Sequence, residues 1–189
     1  MSEQNNPWKT LKEEIVYQNN WIEVVHKDVL NPNGNPGIYG QVNFKNIAIG
    51  VVPVDDEGYT WLVGQYRFPL EEYSWEIPEG GCPVGEEWLD AAIRELKEET
   101  GLQAENYEII SKIHTSNSVC NEVAYIYLAT GISHGESEPE DTEELVVKRV
   151  KLSEAIQMVM ENKITDSMSV TGLLKADRIL RNRKKVGFN

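Results

Sequence analysis

Three glutamates, Glu95, Glu98 and Glu99, have the residue type and spacing to carry out chemistry. They lie at positions i, i+3 and i+4, so a helix would place them on one face. Like charges at this spacing repel one another, and a solvated helix face would tolerate that cost without accounting for it. A hard divalent cation accounts for it, because Mg²⁺ takes carboxylate oxygens together with waters and substrate phosphates. The pattern therefore indicates a Mg²⁺ site, with Mn²⁺ as a substitute, and the alternative is a solvated face.

The glutamates lie in the segment 86–100, which is predicted to be a helix that stops at Gly101. A Pro- and Gly-rich loop over 77–85 precedes the helix, and a glycine such as Gly80 lets the loop backbone approach a ligand closely. Loop and helix are therefore expected to form one site. The apolar positions that predict the buried face of the helix are Leu89, Ala92, Ile93 and Leu96.

The remaining pattern predicts an α/β fold, a mixed sheet sandwiched by helices, with a β-rich arm at 1–44 and the main domain at 45–189. In the arm, three short strands are predicted near 13–17, 21–30 and 38–44, separated by asparagine-rich turns at 19–20 and 31–37. In the main domain, 46–54 is apolar nearly throughout, as in a strand buried on both faces. A turn at 55–58 is expected to close a hairpin with 59–65. Further strands are predicted near 107–114, 122–130 and 144–150, and helices near 153–161 and 166–181.

Composition argues against several classes of function. A net charge of −13 disfavours binding to nucleic acid or to an anionic membrane surface. No apolar run approaches the roughly 18–20 residues that span a bilayer, and the first residues lack the pattern of a secretory signal, so a cytoplasmic location is expected. Cys82 and Cys120 form no CxxC pair and are expected to be free thiols. The three histidines are isolated and are expected to have no catalytic role.

A specific motif joins the loop to the helix. Over 23 residues, nine positions agree in type and spacing with the Nudix box: Gly80, Glu86, Arg94, Glu95, Leu96, Glu98, Glu99, Gly101 and Leu102. The chain thus resembles the Nudix family, whose loop–helix–loop binds divalent metal and the diphosphate of a nucleoside diphosphate linked to another group. The resemblance implies attack of water on a phosphorus and release of two phosphorylated products.

The same resemblance implies roles for individual residues. Glu95 and Glu99 resemble direct metal ligands, and Glu98 resembles an additional ligand or a base that orients the water. Arg94 resembles the residue that holds the glutamates in place. The residue before the box glycine, Glu79, would add its backbone carbonyl to the metal shell.

Sequence outside the box, QYRFP at 65–69 and WEIPEGG at 75–81, is similar to the ADP-ribose and nucleoside diphosphate sugar pyrophosphatase branch. In that branch, N-terminal strands build a homodimer and complete the partner's substrate site, which implies the same for the arm. Arg67 then resembles a phosphate contact, with a surface ion pair as the alternative. Glu76 would contact substrate or only orient the loop. Trp8, in a polar leader, could stack on a nucleobase, close a dimer or make a local lid contact.

One position departs from the branch. Its ADP-ribose enzymes typically carry a proline about fifteen residues after the box, where this sequence has Asn117, whereas Glu122 matches an acidic position of the same loop and is predicted to bind substrate. Hydrolysis of ADP-ribose to AMP and ribose 5-phosphate is the leading expectation. The alternatives are GDP-mannose, another nucleotide sugar or a dinucleoside polyphosphate. A sensor that binds ADP-ribose without cleaving it is disfavoured by the complete set of glutamates.

A second carboxylate is expected to deprotonate the attacking water. In related enzymes it often comes from a mobile loop after the central strands, which corresponds to the acidic stretch 135–144. Glu140 and Glu143 are favoured over Asp141 and Glu144.

Overall fold

A computed structural model of the protein describes residues 5–135 and 145–186. The chain divides into two compact units. Of the described residues, the first unit combines 5–46 with the separate segment 114–122, and the second contains 47–113, 123–135 and 145–186.

The first unit is built on a three-stranded antiparallel sheet, in the order β1-β2-β3. Its strands are Lys9–Gln18 (β1), Ile22–Leu30 (β2) and Pro36–Phe44 (β3). Asparagines make the turns: Asn19 accepts hydrogen bonds from the backbone N–H groups of Trp21 and Ile22, each at 2.8 Å, and Asn31 caps the second turn in the same way. The three predicted strands of the arm are thus confirmed.

The second unit contains two sheets and three helices. One sheet has the order β7-β4-β9-β8 and the other β10-β5-β6. The strands are Ile47–Pro53 (β4), Tyr59–Arg67 (β5), Glu72–Glu76 (β6), Glu79–Cys82 (β7), Leu102–His114 (β8), Val123–His134 (β9) and Val146–Lys151 (β10). The helices are Trp88–Thr100 (α1), Leu152–Met160 (α2) and Ser167–Val186 (α3). Nowhere in the described ranges is a helix both long enough and apolar enough to cross a membrane.

Helices cover both faces of the sheet that contains β4. Ile49 and Val51 pack with Ala92 and Leu96 of α1 on one face. Val52, one residue along the strand, packs in the cluster that includes residues of α2 and α3 on the other face. β4 is therefore buried on both faces, as its continuous apolar run predicts, and the α/β sandwich predicted from the sequence is confirmed.

Two predictions about the strands around this sheet are wrong. The turn at 55–58 forms, with the Gly58 N–H bonded to the Asp55 carbonyl at 2.9 Å, but β4 and β5 enter different sheets after a single bridge between Val54 and Thr60. The predicted loop 77–85 contains strand β7, which pairs with β4. The glycines of this segment predicted an irregular backbone. Its first part is extended instead, because it forms hydrogen bonds with β4.

The buried face of α1 also differs from the predicted one. Leu89 and Ile93 are 43% and 41% exposed, whereas Glu95 and Glu99 are buried together with Ala91, Ala92 and Leu96. The helix is rotated towards its acidic side because the carboxylates find polar partners in the preceding loop. A prediction from apolar periodicity alone instead places Leu89 and Ile93 on the buried face of the helix.

Candidate active site

Strand β7, at the start of the loop that precedes α1, contacts the helix at Gly80. A Cβ built on Gly80 would lie 2.2 Å from the carboxyl carbon of Glu95, so any side chain would displace that carboxylate. Glu95 itself is only 9% exposed. The absence of a side chain at Gly80 is therefore what lets the loop backbone lie against the Glu95 carboxylate.

Arg94 links the carboxylates along the helix. Its Nη1 donates to Glu95 Oε1 at 2.7 Å and to Glu98 Oε2 at 3.0 Å, while its Nε and Nη2 donate to both oxygens of Glu86 at 3.0 and 2.9 Å. Nη2 also donates to the Gly81 carbonyl at 2.9 Å. These hydrogen bonds, those to Glu86 above all, raise the pKa of Arg94, and the same contact lowers the pKa of Glu86. One guanidinium thus orders three glutamates and the loop.

Glu99 is held from the loop side. It is 5% exposed, and its Oε2 accepts a hydrogen bond from the Glu79 backbone N–H at 3.0 Å. The carbonyl of the same peptide unit belongs to Pro78, and it accepts a hydrogen bond from the Val51 N–H of β4 at 2.8 Å. The direction of the Glu79 backbone and the position of the Glu99 carboxylate are therefore coupled.

Arg67 forms a second cluster with two carboxylates. Its Nε donates to Glu76 Oε1 and Oε2 at 3.0 and 3.1 Å, and its Nη2 donates to Glu79 Oε1 at 3.2 Å. Burial opposes the charge on Arg67, but the hydrogen bond and charge of Glu76 outweigh it and raise the pKa of Arg67. Glu76 is 3% exposed, whereas the Arg67 side chain is 35% exposed. Arg67 thus forms an ion pair here, and its contact with a substrate phosphate stays a prediction.

The Glu79 side chain differs from the other carboxylates of this region because one of its oxygens is buried without a hydrogen bond to any described residue. Its Oε2 is buried and has no hydrogen-bond partner among the residues that the structure describes. Burial, followed by the negative charges of Asp166 and Glu76, raises the pKa of Glu79 well above its ordinary value. A buried carboxylate oxygen without a partner is costly unless a ligand, an ion or water satisfies it.

The donors in this region fit a hard divalent cation. The buried oxygens of Glu95 and Glu99 and the orphaned Glu79 Oε2 are the ligands that Mg²⁺ and Mn²⁺ prefer. Among residues 5–135 and 145–186, no three acidic, histidine or cysteine side chains already converge as a complete metal site. Arg94 and the Glu79 N–H hold the carboxylates at the separate positions described above.

The first unit contains a cavity of about 290 Å³. Trp8 and Tyr39 meet in it edge to face, with ring centroids 5.7 Å apart, and the Tyr39 hydroxyl donates to the Ser118 carbonyl. Asn117 also lines this cavity. Glu122 accepts a hydrogen bond from the Thr115 hydroxyl, within the same 114–122 segment.

The predicted site residues therefore fall into three groups. Seven lie together in the second unit: Arg67, Glu76, Glu79, Arg94, Glu95, Glu98 and Glu99. Trp8 and Glu122 belong to the first unit. The two predicted bases, Glu140 and Glu143, lie outside the residues that the structure describes.

Sequence reasoning missed two contributions to the cluster in the second unit. Glu86 is the strongest partner of Arg94, and its box position was the available signal. The side chain of Glu79 was overlooked because only its carbonyl was assigned a role. A charged residue between Pro78 and Gly80, in a segment that otherwise consists of apolar and small residues, was the signal for it.

Comparison with known proteins agrees with this geometry. A NUDIX domain model matches residues 44–168. The chain belongs to the Nudix hydrolase family. A second model, the nucleoside diphosphate sugar hydrolase N-terminal domain, matches residues 8–42 of this Nudix protein. The resemblance predicted from the box and its flanking sequence is thus confirmed.

Individual relatives cover most of the chain. An ADP-ribose pyrophosphatase of Bacillus subtilis is 35% identical over 161 residues, which is 84% of this chain and 86% of that protein. A methanol dehydrogenase activator of Bacillus methanolicus is 34% identical over 164 residues, 86% of this chain and 88% of that protein. A crystal structure of an ADP compounds hydrolase matches the whole of both chains with a TM-score of 0.83 at 23% identity, which supports the Nudix fold alone.

Proposed function

We propose that this Nudix hydrolase cleaves the diphosphate of ADP-ribose with water, to give AMP and ribose 5-phosphate. The observation that carries the proposal is the pair of buried carboxylates, Glu95 and Glu99, fixed against the loop at Gly80. The match to a nucleoside diphosphate sugar hydrolase domain and the similarity to an ADP-ribose pyrophosphatase support the choice of substrate.

In this proposal Glu95, Glu99 and the Glu79 carbonyl hold Mg²⁺, for which Mn²⁺ can substitute. Glu98 is an additional ligand or orients the water. A bound divalent cation would neutralise charge on the phosphoryl oxygens and acidify the attacking water. Arg94 keeps the carboxylates in place before substrate arrives, which lowers the cost of organising the site.

Arg67 is proposed to contact a substrate phosphate, since a guanidinium can direct two N–H groups at two oxygens. Glu76 would hold Arg67 by the internal hydrogen bonds described above. Glu140 or Glu143 remains our proposal for the base that deprotonates the water.

The first unit is proposed to bind the nucleoside and to build a homodimer. Trp8 offers an aromatic face in a cavity large enough for part of a nucleotide, and Glu122 adds a polar contact in the same unit. Every residue of β1 is exposed, including apolar side chains that a second copy could cover: Leu11, Ile15, Val16 and Tyr17. Light scattering that shows a monomer at micromolar concentration would contradict the dimer.

The remaining proposals concern partners and location. A net charge of −13 supports the absence of nucleic acid and of anionic membrane among the partners. Two free cysteines are consistent with a reducing compartment, for which we propose the cytoplasm.

A second candidate substrate rests on Asn117. This residue lies in the Trp8 cavity at the position where a proline is typical of ADP-ribose enzymes, so its amide could select another sugar nucleotide such as GDP-mannose. A sensor that only binds ADP-ribose receives no support from the site, because binding alone does not require buried, ordered carboxylates at Glu95 and Glu99.

The test is a panel of diphosphates with the purified full chain. ADP-ribose, GDP-mannose, UDP-glucose, NADH, diadenosine polyphosphate and 8-oxo-dGTP are each incubated with Mg²⁺ and, in parallel, with a chelator, and phosphorylated products are quantified. We expect chelator-sensitive cleavage of ADP-ribose with the highest kcat/KM. A higher kcat/KM for GDP-mannose would favour the second candidate, and tight ADP-ribose binding without any turnover would favour the sensor.

A further inference from the structure

The segment before the box glycine is anchored by a helix that contributes no predicted site residue. The backbone N–H of Ile77 donates to Ser169 Oγ at 2.9 Å, and Ser169 lies in the first turn of α3. Both residues are fully buried. The side chain of Ser169 is therefore the partner of a backbone donor that water does not reach.

The next two residues of the segment are anchored by other elements. The Pro78 carbonyl accepts from the Val51 N–H of β4 at 2.8 Å. The Glu79 N–H donates to Glu99 Oε2 of α1 at 3.0 Å. Three successive residues are thus fixed by α3, β4 and α1, so the path of the backbone that enters Glu79 depends on all three anchors.

The Ser169 anchor has little freedom to move. The Asp166 carboxylate accepts the Ser169 N–H at 2.7 Å, which orders the first turn of α3. A Cβ on Gly50 of β4 would lie 2.9 Å from the Ile77 side chain, and one on Gly172 of α3 would lie 3.4 Å from it. Ile77 is therefore packed without spare volume between β4 and α3.

We propose that Ser169 is a positioning residue for catalysis: its hydrogen bond to Ile77 sets the Glu79 backbone and, through it, the Glu99 carboxylate. The inference rests on the proposed function, in which Glu99 and the Glu79 carbonyl hold the metal. Ser169 lies beyond residues 44–168, which the NUDIX domain model matches, so the motif does not assign it a role.

Removal of the Ser169 hydroxyl leaves the buried Ile77 N–H without an acceptor. The segment can recover a partner only by moving towards water or towards another carbonyl. Because Pro78 is rigid and Glu79 follows directly, that movement reaches the Glu79 N–H bond to Glu99. Displacements of about 1 Å in a catalytic group reduce turnover by on the order of 100-fold.

The experiment compares two buried serines that both have a partner in the second unit. Ser169→Ala removes the acceptor of Ile77. Ser111→Ala is the matched control: Ser111 is 6% exposed and accepts from Lys175 Nζ of the same helix at 3.3 Å, but it has no contact with the 77–79 segment among its described hydrogen bonds. For each full-length variant, kcat and KM are measured with ADP-ribose and Mg²⁺, and amide hydrogen exchange is measured without metal or substrate.

Ser169→Ala should lower kcat by about 10- to 100-fold with KM within about twofold of the parent value. Exchange at the amides of Ile77 and Glu79 should accelerate by about tenfold or more, and the control should change neither quantity. Unchanged exchange and unchanged kcat in Ser169→Ala would overturn the proposal. An equal loss of kcat in Ser111→Ala would also overturn it, because the effect would then be general destabilisation.

A second variant protects the test against loss of folding. Ser169→Cys is nearly isosteric and keeps a weak acceptor, so intermediate exchange at Ile77 and an intermediate kcat are expected. Parent-like exchange at Ile77 together with a tenfold or greater loss of kcat would contradict the proposal, because kcat would then not depend on this bond. The exchange measurement needs no turnover. If the parent protein cleaves no nucleotide sugar, the proposed function fails while the exchange data still decide whether Ser169 positions the segment.

Discussion

The two units of this Nudix protein differ in how far their apolar and charged side chains are buried. In the second unit, β4 buries Ile49, Val51 and Val52 completely, and even the glutamates Glu95 and Glu99 are buried. In the first unit, all ten residues of β1 are exposed. The chemistry is thus proposed for a region with a packed core on both sides, and the substrate contacts for a sheet with an open face.

This difference in burial suggests that the second unit holds the catalytic groups and that the first unit offers contacts to a ligand or to a second copy. Buried carboxylates held by fixed donors keep their geometry, as catalysis requires, but they tolerate substitution poorly. Exposed aromatic and apolar side chains offer contact area to a ligand or to a second copy without being required for the fold. Substitution of the buried carboxylates or of Gly80 in the second unit should therefore affect kcat, whereas substitution of Trp8 in the first unit should affect KM.

Glu99→Gln should have the largest effect. The amide keeps the size of the side chain and can still accept from the Glu79 N–H, but it removes a charged oxygen ligand. We expect kcat to fall by on the order of 100- to 1,000-fold, measured as AMP release from ADP-ribose at saturating Mg²⁺.

The control for this variant is Glu87→Gln. Glu87 precedes α1 and makes no side-chain hydrogen bond as its cap, so the same chemical change should leave kcat within about twofold. Unchanged kcat in Glu99→Gln, with an intact circular dichroism spectrum, would remove the metal-site assignment.

Gly80→Ala should have the next largest effect. The new methyl would occupy the position now held by the Glu95 carboxyl group, so Glu95 must move, and we expect kcat to fall by about 100-fold. Gly40→Ala in the first unit is the matched control, because a Cβ there meets nothing within 4 Å. Steady-state kinetics that show equal activity for both alanine variants would contradict the proposed role of the close approach.

Trp8→Ala tests the role proposed for the first unit in substrate binding. Loss of a stacking face should raise KM for ADP-ribose by about tenfold and leave kcat nearly unchanged. Trp21→Ala, at a tryptophan that is 65% exposed and does not line the cavity, is the control. A fall in kcat without a change in KM would place Trp8 outside substrate binding.

The comparison also explains what the sequence could predict. The box, its helix and the buried strand β4 were predictable because each depends on local spacing: nine motif positions, a glycine stop and a continuous apolar run. The strands of the first unit were predictable from asparagine turns. These signals are encoded within about twenty residues of chain.

The errors arose where distant residues decide the outcome. Leu89 and Ile93 were predicted to be buried on α1, but the loop at Gly80 and Arg94 stabilise buried carboxylates on the neighbouring stripe. The pairing of β7 with β4, the separation of β4 and β5 into two sheets, and the Ser169 contact to Ile77 depend in the same way on partners far along the chain. Periodicity contains no information about such partners.

The smallest expected effect is on stability alone and concerns the charge of Asp55, a residue of the second unit outside the proposed catalytic site. Asp55 accepts from the Tyr59 N–H at 2.8 Å and pairs with Arg149. Burial opposes ionisation of Asp55, but the hydrogen bonds from Arg149 and Tyr59 outweigh it and lower its pKa from the ordinary value of an aspartate. Because the folded-state pKa is depressed, the charge of Asp55 contributes stability above its unfolded pKa and loses it as pH falls through the folded value.

Asp55→Asn keeps the acceptor for Tyr59 and removes the charge. At pH 7 the free energy of unfolding should fall by up to about 1 kcal/mol, since solvent screens the exposed Arg149 partner, and kcat should not change. Urea unfolding at a series of pH values should show this difference shrinking as the pH falls below the unfolded-state pKa of Asp55 and through its lower folded-state pKa, where the parent protein loses the same charge. A difference that stays constant down to pH 2 would mean that the turn geometry, and not the charge of Asp55, stabilises this part of the second unit.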